Sequence, residues 1–407
     1  MHHDPPLIDG TIYNITFAFT DKAGNVGTKT IHNVTYDTTI PDIKPGSISF
    51  TNNLNNTNWA KPGDTIKLIF ETTEPVNAPG ASGGVAVIFK SGGETYDHSS
   101  VLAFSNTSQI SSNISGTIWT IKCNIAAGDS NGKIFYDISL SDCAGNINSK
   151  IGSSELKLDK TKPEITPISL TSSGGGGWAK KGEEVILTFN SNEPIKSPEV
   201  TFNILGGVEL SKVFAENSDG NKTSWTAKYP VLETSNNGEV AFSIAFEDLA
   251  GNEGTPISGP VSGQGSVQID TVLPVVTFTS LESSNSAVSE WAKETNTITL
   301  KFEHNDILPV APIVTFRSGG QSFINSFEMG KDTNPTTDGN TYTATYIVNS
   351  DDTHDGLIFY KISSIEDRAG NQGVELEGNS TLKLDSTKPT IVDSSTVSYT
   401  HLTLPTN

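Results

Sequence analysis

The chain has 407 residues, too many for one ordinary domain and enough for two to four. Its 26 Lys and Arg against 46 Asp and Glu give a formal charge of −20, which excludes the broad basic faces that hold nucleic acid or anionic lipid. Two cysteines, Cys123 and Cys143, exclude a disulfide framework, and no stretch is apolar and long enough to cross a membrane as a helix.

The start, "MHHDPPLIDG", lacks the apolar core of a signal peptide. Residues 9–25, "DGTIYNITFAFTDKAGN", then set a pattern: a turn ending in Gly, an alternating apolar run, and an acidic loop. The same pattern returns as "NGKIFYDISLSDCAGN" (131–146), "NGEVAFSIAFEDLAGN" (237–252) and "DGLIFYKISSIEDRAGN" (355–371). Val240, Phe242, Ile244 and Phe246 alternate with period two, which predicts a half-buried strand.

A second marker follows each acidic loop: "YDTTIP" (36–41), "LDKTKP" (158–163), "IDTVLP" (269–274) and "LDSTKP" (384–389). The spacing of these prolines is close to the roughly 100 residues of one β-sandwich. Between markers, "WAKPGDTIKLIFETTEP" (59–75), "WAKKGEEVILTFNSNEP" (178–194) and "WAKETNTITLKFEHNDILP" (291–309) each read as one strand and one loop. "VAVIF", "PEVTFNI" and "PIVTFRS" come next, followed by "IWTIKC", "SWTAKYPV" and "TYTATYIV". About seven short strands per period, with no competing helical pattern, predict an all-β chain of tandem sandwiches.

Residues 1–40 are read as the end of one repeat, 41–162, 163–273 and 274–388 as three whole repeats, and 389–396 as the start of another. The sequence is therefore expected to be an internal piece of a longer array. "VSYTHLTLPTN" (397–407) leaves the pattern and resembles the translation of a transposase-type sequencing adapter, so it is set apart as a suspected non-native tail.

The D-x-A-G-N loop after a G-x-[IV]-x-[FY] strand, together with the D-x-T-x-P junction, resembles the bacterial Ig-like domains strung together in large cell-surface adhesins, over residues 7–393. That resemblance implies an extracellular, cell-surface stalk or spacer whose partners are the neighbouring repeats. Glycan, host or biofilm surfaces would be met through parts outside this sequence. It also implies calcium between domains in some members. Composition, poor in Cys and Met and rich in Thr and Asn, fits an exported bacterial protein. Two other readings stay open: glycan-binding modules of a secreted enzyme, and a surface-layer component.

In an Ig-like sandwich the chain alternates poles, so the D-x-T-x-P Asp of one repeat should approach two loops of the next. The expected clusters are Asp37, Glu74 and Asp142 at the first junction, Asp159, Glu193 and Asp248 at the second, and Asp270, Asp306 and Asp367 at the third. Asp306 is the least regular member, because "NDILP" replaces the Glu-Pro pair and shifts the register. Asp385 would serve a further repeat. Converging carboxylates repel unless a cation sits among them. Ca2+ suits them, with six to eight oxygen ligands and tolerance of loop geometry, and Asn146, Asn252 and Asn371 are placed to add a carbonyl. The same residues also satisfy plain turn chemistry, Asp bonding its own backbone and Gly and Asn supplying positive φ. Both readings account for the pattern.

Trp59, Trp178 and Trp291 are expected to close the poles as core residues, with a sugar-stacking role as the alternative. Cys123 should face inward and Cys143 outward, which disfavours a bridge between them. The histidines at 32, 98, 304 and 354 lack metal-ligand spacing, and no nucleophile elbow or phosphate loop occurs, so no enzyme is expected.

Overall fold

The computed structural model describes residues 6–52, 58–79, 84–93, 95, 97, 99–101, 109–113, 115–205 and 208–390. The tail set apart above, and His98, lie outside them. Among the described residues every long element is a strand, and no helix is long and apolar enough to cross a membrane.

Each period builds two facing sheets. In the second, one sheet runs in the order Ile165–Ser172, Glu184–Ser191, Ser224–Pro230, Glu216–Asn217. The other runs Trp178–Ala179, Gln268–Ile269, Gly238–Ala245, Glu199–Ile204, Val208–Phe214. In chain-order letters these are A-B-E-D and A′-G-F-C-C′, the arrangement of an Ig-like sandwich. The first period repeats it in Ser49–Asn52, Thr65–Glu71, Ile118–Asn124 and Gln109–Ser112, facing Trp59–Ala60, Ile147–Leu158, Gly132–Ser141, Ala86–Ser91 and Ser100–Val101. The third does so with Val276–Ser283, Thr297–His304, Thr341–Ile347 and Thr336–Asp338 against Trp291–Ala292, Leu376–Leu384, Gly356–Ser363, Ile313–Ser318 and Phe327–Asp332.

Alternation decides which side chains meet between the sheets. Val185, Leu187 and Phe189 point inward from one B strand, Ile66, Leu68 and Phe70 from another, and Ile298, Leu300 and Phe302 from the third. They meet inward residues of the facing strands, such as Phe202 and Phe242, Phe89 and Ile138, and Phe316 and Ile362. The three resulting cores share no residue, and each is confined to one period. Residues Thr11–Thr20 and Val26–Tyr36 form a separate antiparallel hairpin whose loop and turn match the F–G hairpins, with Ile12, Phe17, Phe19 and Ile31 exposed on it.

The Gly ending each "NG" or "DG" turn has a packing reason. Gly132, Gly238 and Gly356 adopt φ of 133°, 139° and 133°. A Cβ there would meet Gly92 Cα at 3.0 Å, Ile204 Cγ2 at 2.8 Å and Gly319 Cα at 3.3 Å respectively. The F strand can start against the C strand only where both side-chain bulk and the negative-φ requirement are absent.

Two expectations are corrected. The W-A-K segment is not continuous with the strand after it: Trp and Ala form a two-residue strand of the opposite sheet, paired in parallel with the end of the last strand. Strand counts therefore exceed seven per period. The W-A-K tryptophans also do not enter the cores. Trp59 and Trp178 are half-buried and Trp291 is 38% exposed, with Lys157 Nζ lying 5.7 Å from the Trp59 ring centroid and Lys383 Nζ 5.3 Å from that of Trp291. The core places go to Trp119 and Trp225, on the E strands. Cys123 is buried in its core and Cys143 is exposed.

Because the cores are separate, a cavity in one should leave the others intact. Phe202→Ala removes a fully buried ring from the second core and should destabilise that repeat by about 3–5 kcal/mol. Calorimetry of the full chain should show one transition moving down while two stay in place.

Candidate metal centres at the domain junctions

The second and third junctions, and the exit at Asp385, begin where the last strand pairs with W-A. The carbonyls of Ala60, Ala179 and Ala292 accept the N–H of Asp159, Asp270 and Asp385 at 2.8, 3.0 and 2.9 Å. This main-chain bond sets the linker Asp at the exit pole. Its carboxylate then closes a small turn on the residue two positions on: Asp159 Oδ1 accepts Thr161 N at 2.9 Å, Asp270 Oδ1 accepts Val272 N at 3.0 Å, and Asp37 Oδ1 accepts Thr39 N at 3.0 Å.

The upstream repeat holds the linker a second time, through the residue preceding the turn Gly. Asn131 Oδ1 accepts Lys160 N at 2.9 Å, Asn237 Oδ1 accepts Thr271 N at 3.1 Å, and Asp9 Oδ1 accepts Thr38 N at 2.5 Å. The downstream repeat holds it as well. The amides of Asn146, Asn252 and Asn371 donate to the carbonyls of Asp37, Asp159 and Asp270 at 3.3, 3.0 and 3.1 Å. The same amides donate to Asp142, Asp248 and Asp367 Oδ2 at 2.8, 2.7 and 2.8 Å. These Asn side chains therefore clip the linker with their N–H groups, whereas the sequence placed them as carbonyl donors to a cation.

In the D-x-A-G-N loop the Asp carboxylate gathers the loop's own N–H groups. Asp142 Oδ1 accepts from Ala144, Gly145 and Asn146 N at 2.9, 2.7 and 2.9 Å, and Gly145, Gly251 and Gly370 stand at φ of 94°, 88° and 84°. The loop is held by turn chemistry, which buries Asp142, Asp248 and Asp367. The third acid is set at the end of the B strand. Thr72 and Ser191 hydroxyls donate to the carbonyls of Glu74 and Glu193 at 2.7 and 2.6 Å, and His304 Nδ1 bonds that of Asp306. Asp306 thus keeps the register of the two glutamates; the "NDILP" departure moves the proline and not the acid.

All nine sequence-derived acids fall into the three expected triads. In each, one oxygen from every member lies within 4.8 Å of the other two. Glu74 Oε1 and Glu193 Oε1 are buried with no hydrogen-bond partner among the described residues. Three hard oxygens from three loops, with an unpartnered glutamate oxygen in each of the first two triads, fit a hard cation.

The electrostatics follow from that crowding. Burial first, then Asp37 and Asp142, with Asp9 last, push the Glu74 carboxyl above the ordinary Glu range; burial, then Asp159 and Asp248, do the same to Glu193. Burial also raises Asp270, with Asp367 and Asp306 adding to it against the Val272 N–H bond. Asp142 moves down: burial opposes this, but the Asn146 side chain and the loop N–H groups outweigh it.

The sequence reading passed over the Asn and Asp clamps at 9, 131 and 237, and the W-A-K lysines. Lys61 Nζ donates to the Gly251 carbonyl, and Lys180 Nζ to that of Gly370 at 2.7 Å. The recurrence of these residues at one place in every repeat was the available signal.

A raised carboxyl in the folded state stabilises only while it is protonated. Its contribution is complete below the ordinary Glu value of about 4.3 and is lost as pH rises through the shifted one. In EDTA, E74Q/E193Q should therefore gain melting temperature on the unsubstituted chain as pH rises toward 7, with the difference vanishing below pH ~4.3. A pH-independent difference would show that the two glutamates do not repel their triads.

No family model matches the chain, and no curated protein matches it. Among solved structures it is similar to a tetra-tandem repeat in the extending region of a large adhesion protein, at 14% identity and TM-score 0.30, covering 92% of this chain and 81% of that one. It is also similar to the N-terminal eight Ig domains of Down Syndrome Cell Adhesion Molecule isoform 1.30.30, at 12% identity and TM-score 0.29, covering 94% of this chain and 44% of that one. A third is the C-terminal domain of the Streptococcus agalactiae AgI/II polypeptide BspA, at 12% identity and TM-score 0.23, covering 57% of this chain and all of that one. The strand order within each period is what makes this chain an all-β array of tandem Ig-like sandwiches.

Proposed function

We propose that the chain is a stalk segment of an extracellular, adhesin-type surface protein, and that Ca2+ at the junctions stiffens it. The observation that carries this reading is recurrence: the same three-carboxylate arrangement, built from the same three loops, stands at each of three successive junctions. A catalytic site has no need of such copies, whereas a rod has one joint per repeat.

The residues that would hold the ion are the linker Asp, the acid after the B strand and the D-x-A-G-N Asp. The first belongs to one repeat and the other two to the next, so an ion binding all three joins the repeats. It would supply the charge compensation the carboxylates lack. Everything else is already done by the chain: main-chain bonds set the linker Asp, and the Asn amide holds the linker to the next loop. The ion then has little conformational entropy left to remove. The reading as a surface stalk draws on the acidic composition and the tandem architecture together.

The test is a calcium titration of the full chain against EDTA, followed by calorimetry and small-angle scattering. At 1 mM Ca2+ and a Kd of about 10⁻⁴ M, each junction should gain roughly 1.4 kcal/mol, and the particle should lengthen and stiffen. The variant D37N/D159N/D270N retains an oxygen for the linker turn but removes a charge from each triad. It should lose both effects. Identical melting and scattering with Ca2+ and with EDTA would overturn the metal reading.

A further inference from the structure

The lysine of W-A-K is the residue next to the alanine whose carbonyl receives the linker Asp, so its side chain departs from the exit pole beside the linker. Its own backbone is fixed: the N–H groups of Lys61, Lys180 and Lys293 donate to Asp64 Oδ2, Glu183 Oε2 and Asn296 Oδ1, each at 3.0 Å. Ala60, Ala179 and Ala292 are fully buried, which anchors the preceding residue in the sheet. From this fixed root the ammoniums of Lys61 and Lys180 cross to the following repeat and donate to the Gly carbonyl of its D-x-A-G-N loop. Both contacts span the same separation of 190 residues.

We propose that this lysine is a further clamp at the second and third junctions, independent of metal, which fixes the rotation of one repeat against the next. Three features carry the assignment. First, the two contacts are built from the same positions in successive repeats, although the surrounding sequences differ. Second, the acceptor loop is shaped for it. A Cβ on Gly251 would lie 3.3 Å from Lys61 Nζ, and one on Gly370 would lie 2.9 Å from Lys180 Nζ, whereas Gly145, for which this sequence has no W-A-K at the corresponding place, has nothing within 4 Å. Third, neither ammonium forms an ion pair with a triad carboxylate among the described residues. The lysine therefore does not stand in for the cation; it grips the outside of the loop whose Asp faces the triad. Its charge has a further consequence when the triad is filled: three carboxylates, one divalent cation and one lysine sum to zero.

The clamp differs from the metal in what it requires. Its bond to a neutral carbonyl needs no ion in solution. Beside the Asn clip, the joint thus has a lysine contact that needs no metal and a triad that follows the cation. Removing calcium should loosen the joint without freeing it.

The experiment uses the full chain in EDTA, so its outcome does not depend on whether the triads bind calcium. Small-angle scattering would be recorded for the unsubstituted chain, K61M/K180M, K61R/K180R and K293M. Met keeps the apolar stem and removes the donor; Arg restores a cationic donor. This sequence has no D-x-A-G-N loop 190 residues beyond Lys293, the separation of the other two contacts, so K293M controls for the loss of surface charge. Circular-dichroism melts verify that every variant keeps folded sandwiches. The expected result is loss of the longest intramolecular distances in K61M/K180M, recovery in K61R/K180R, and none of this loss in K293M. Scattering of K61M/K180M equal to that of the unsubstituted chain would overturn the proposal. So would a loss that Arg fails to restore, or one that K293M reproduces.

Discussion

The structure depends on one short parallel ladder, in which W-A pairs with the end of the last strand and passes a main-chain hydrogen bond to the linker Asp. Through it, the sheet of one repeat continues into the linker without a flexible gap. A linker of Thr and Pro alone would be free to turn about several backbone bonds. Here its first residue is hydrogen-bonded to the sheet through the Ala60 or Ala179 carbonyl, its next is held by the Asn before the turn Gly, and the following proline restricts φ. The downstream repeat reaches back with an Asn amide to the same Asp carbonyl. The joint is thus bonded from both sides before any charge is considered.

Charge enters because that scaffold is unforgiving. Main-chain geometry, and not attraction, brings the three carboxylates within 4.8 Å, so their repulsion is an enforced cost that the backbone bonds offset. The raised carboxyls of Glu74 and Glu193 and their unpartnered oxygens express it. A site under such strain favours whatever supplies positive charge to the triad, and a divalent cation supplies most of it at once. The neighbouring lysine is bound to a carbonyl, too committed elsewhere to relieve it.

The sandwich and the junction divide the work. Each core is closed on itself, so a repeat's stability belongs to its own apolar alternation. The contacts described between repeats are hydrogen bonds, as in other polar inter-domain interfaces. Stability and stiffness can therefore vary independently along the array: changing a core residue alters melting, while changing a junction residue alters shape.

The period-two alternation, the glycines and the recurring D-x-A-G-N and D-x-T-x-P segments by themselves determined the all-β tandem fold, the entry into each F strand and the membership of the three acidic triads. These are local signals: a strand's inward face, a left-handed turn and a carboxylate bonding its own backbone are decided within a few residues. Even Asp306 was found, although its altered proline concealed that its register is unchanged. What the tertiary structure alone decided lies across the sheets. The transfer of W-A to the opposite sheet, the half-exposed position of Trp59, Trp178 and Trp291, and the use of the Asn amides as clips depend on partners about a hundred residues away. The reach of Lys61 and Lys180 spans 190 residues. A two-residue strand has no periodicity to read, and a lysine's partner is set by where its long side chain can reach; the recurrence of W-A-K marks the position but not the partner.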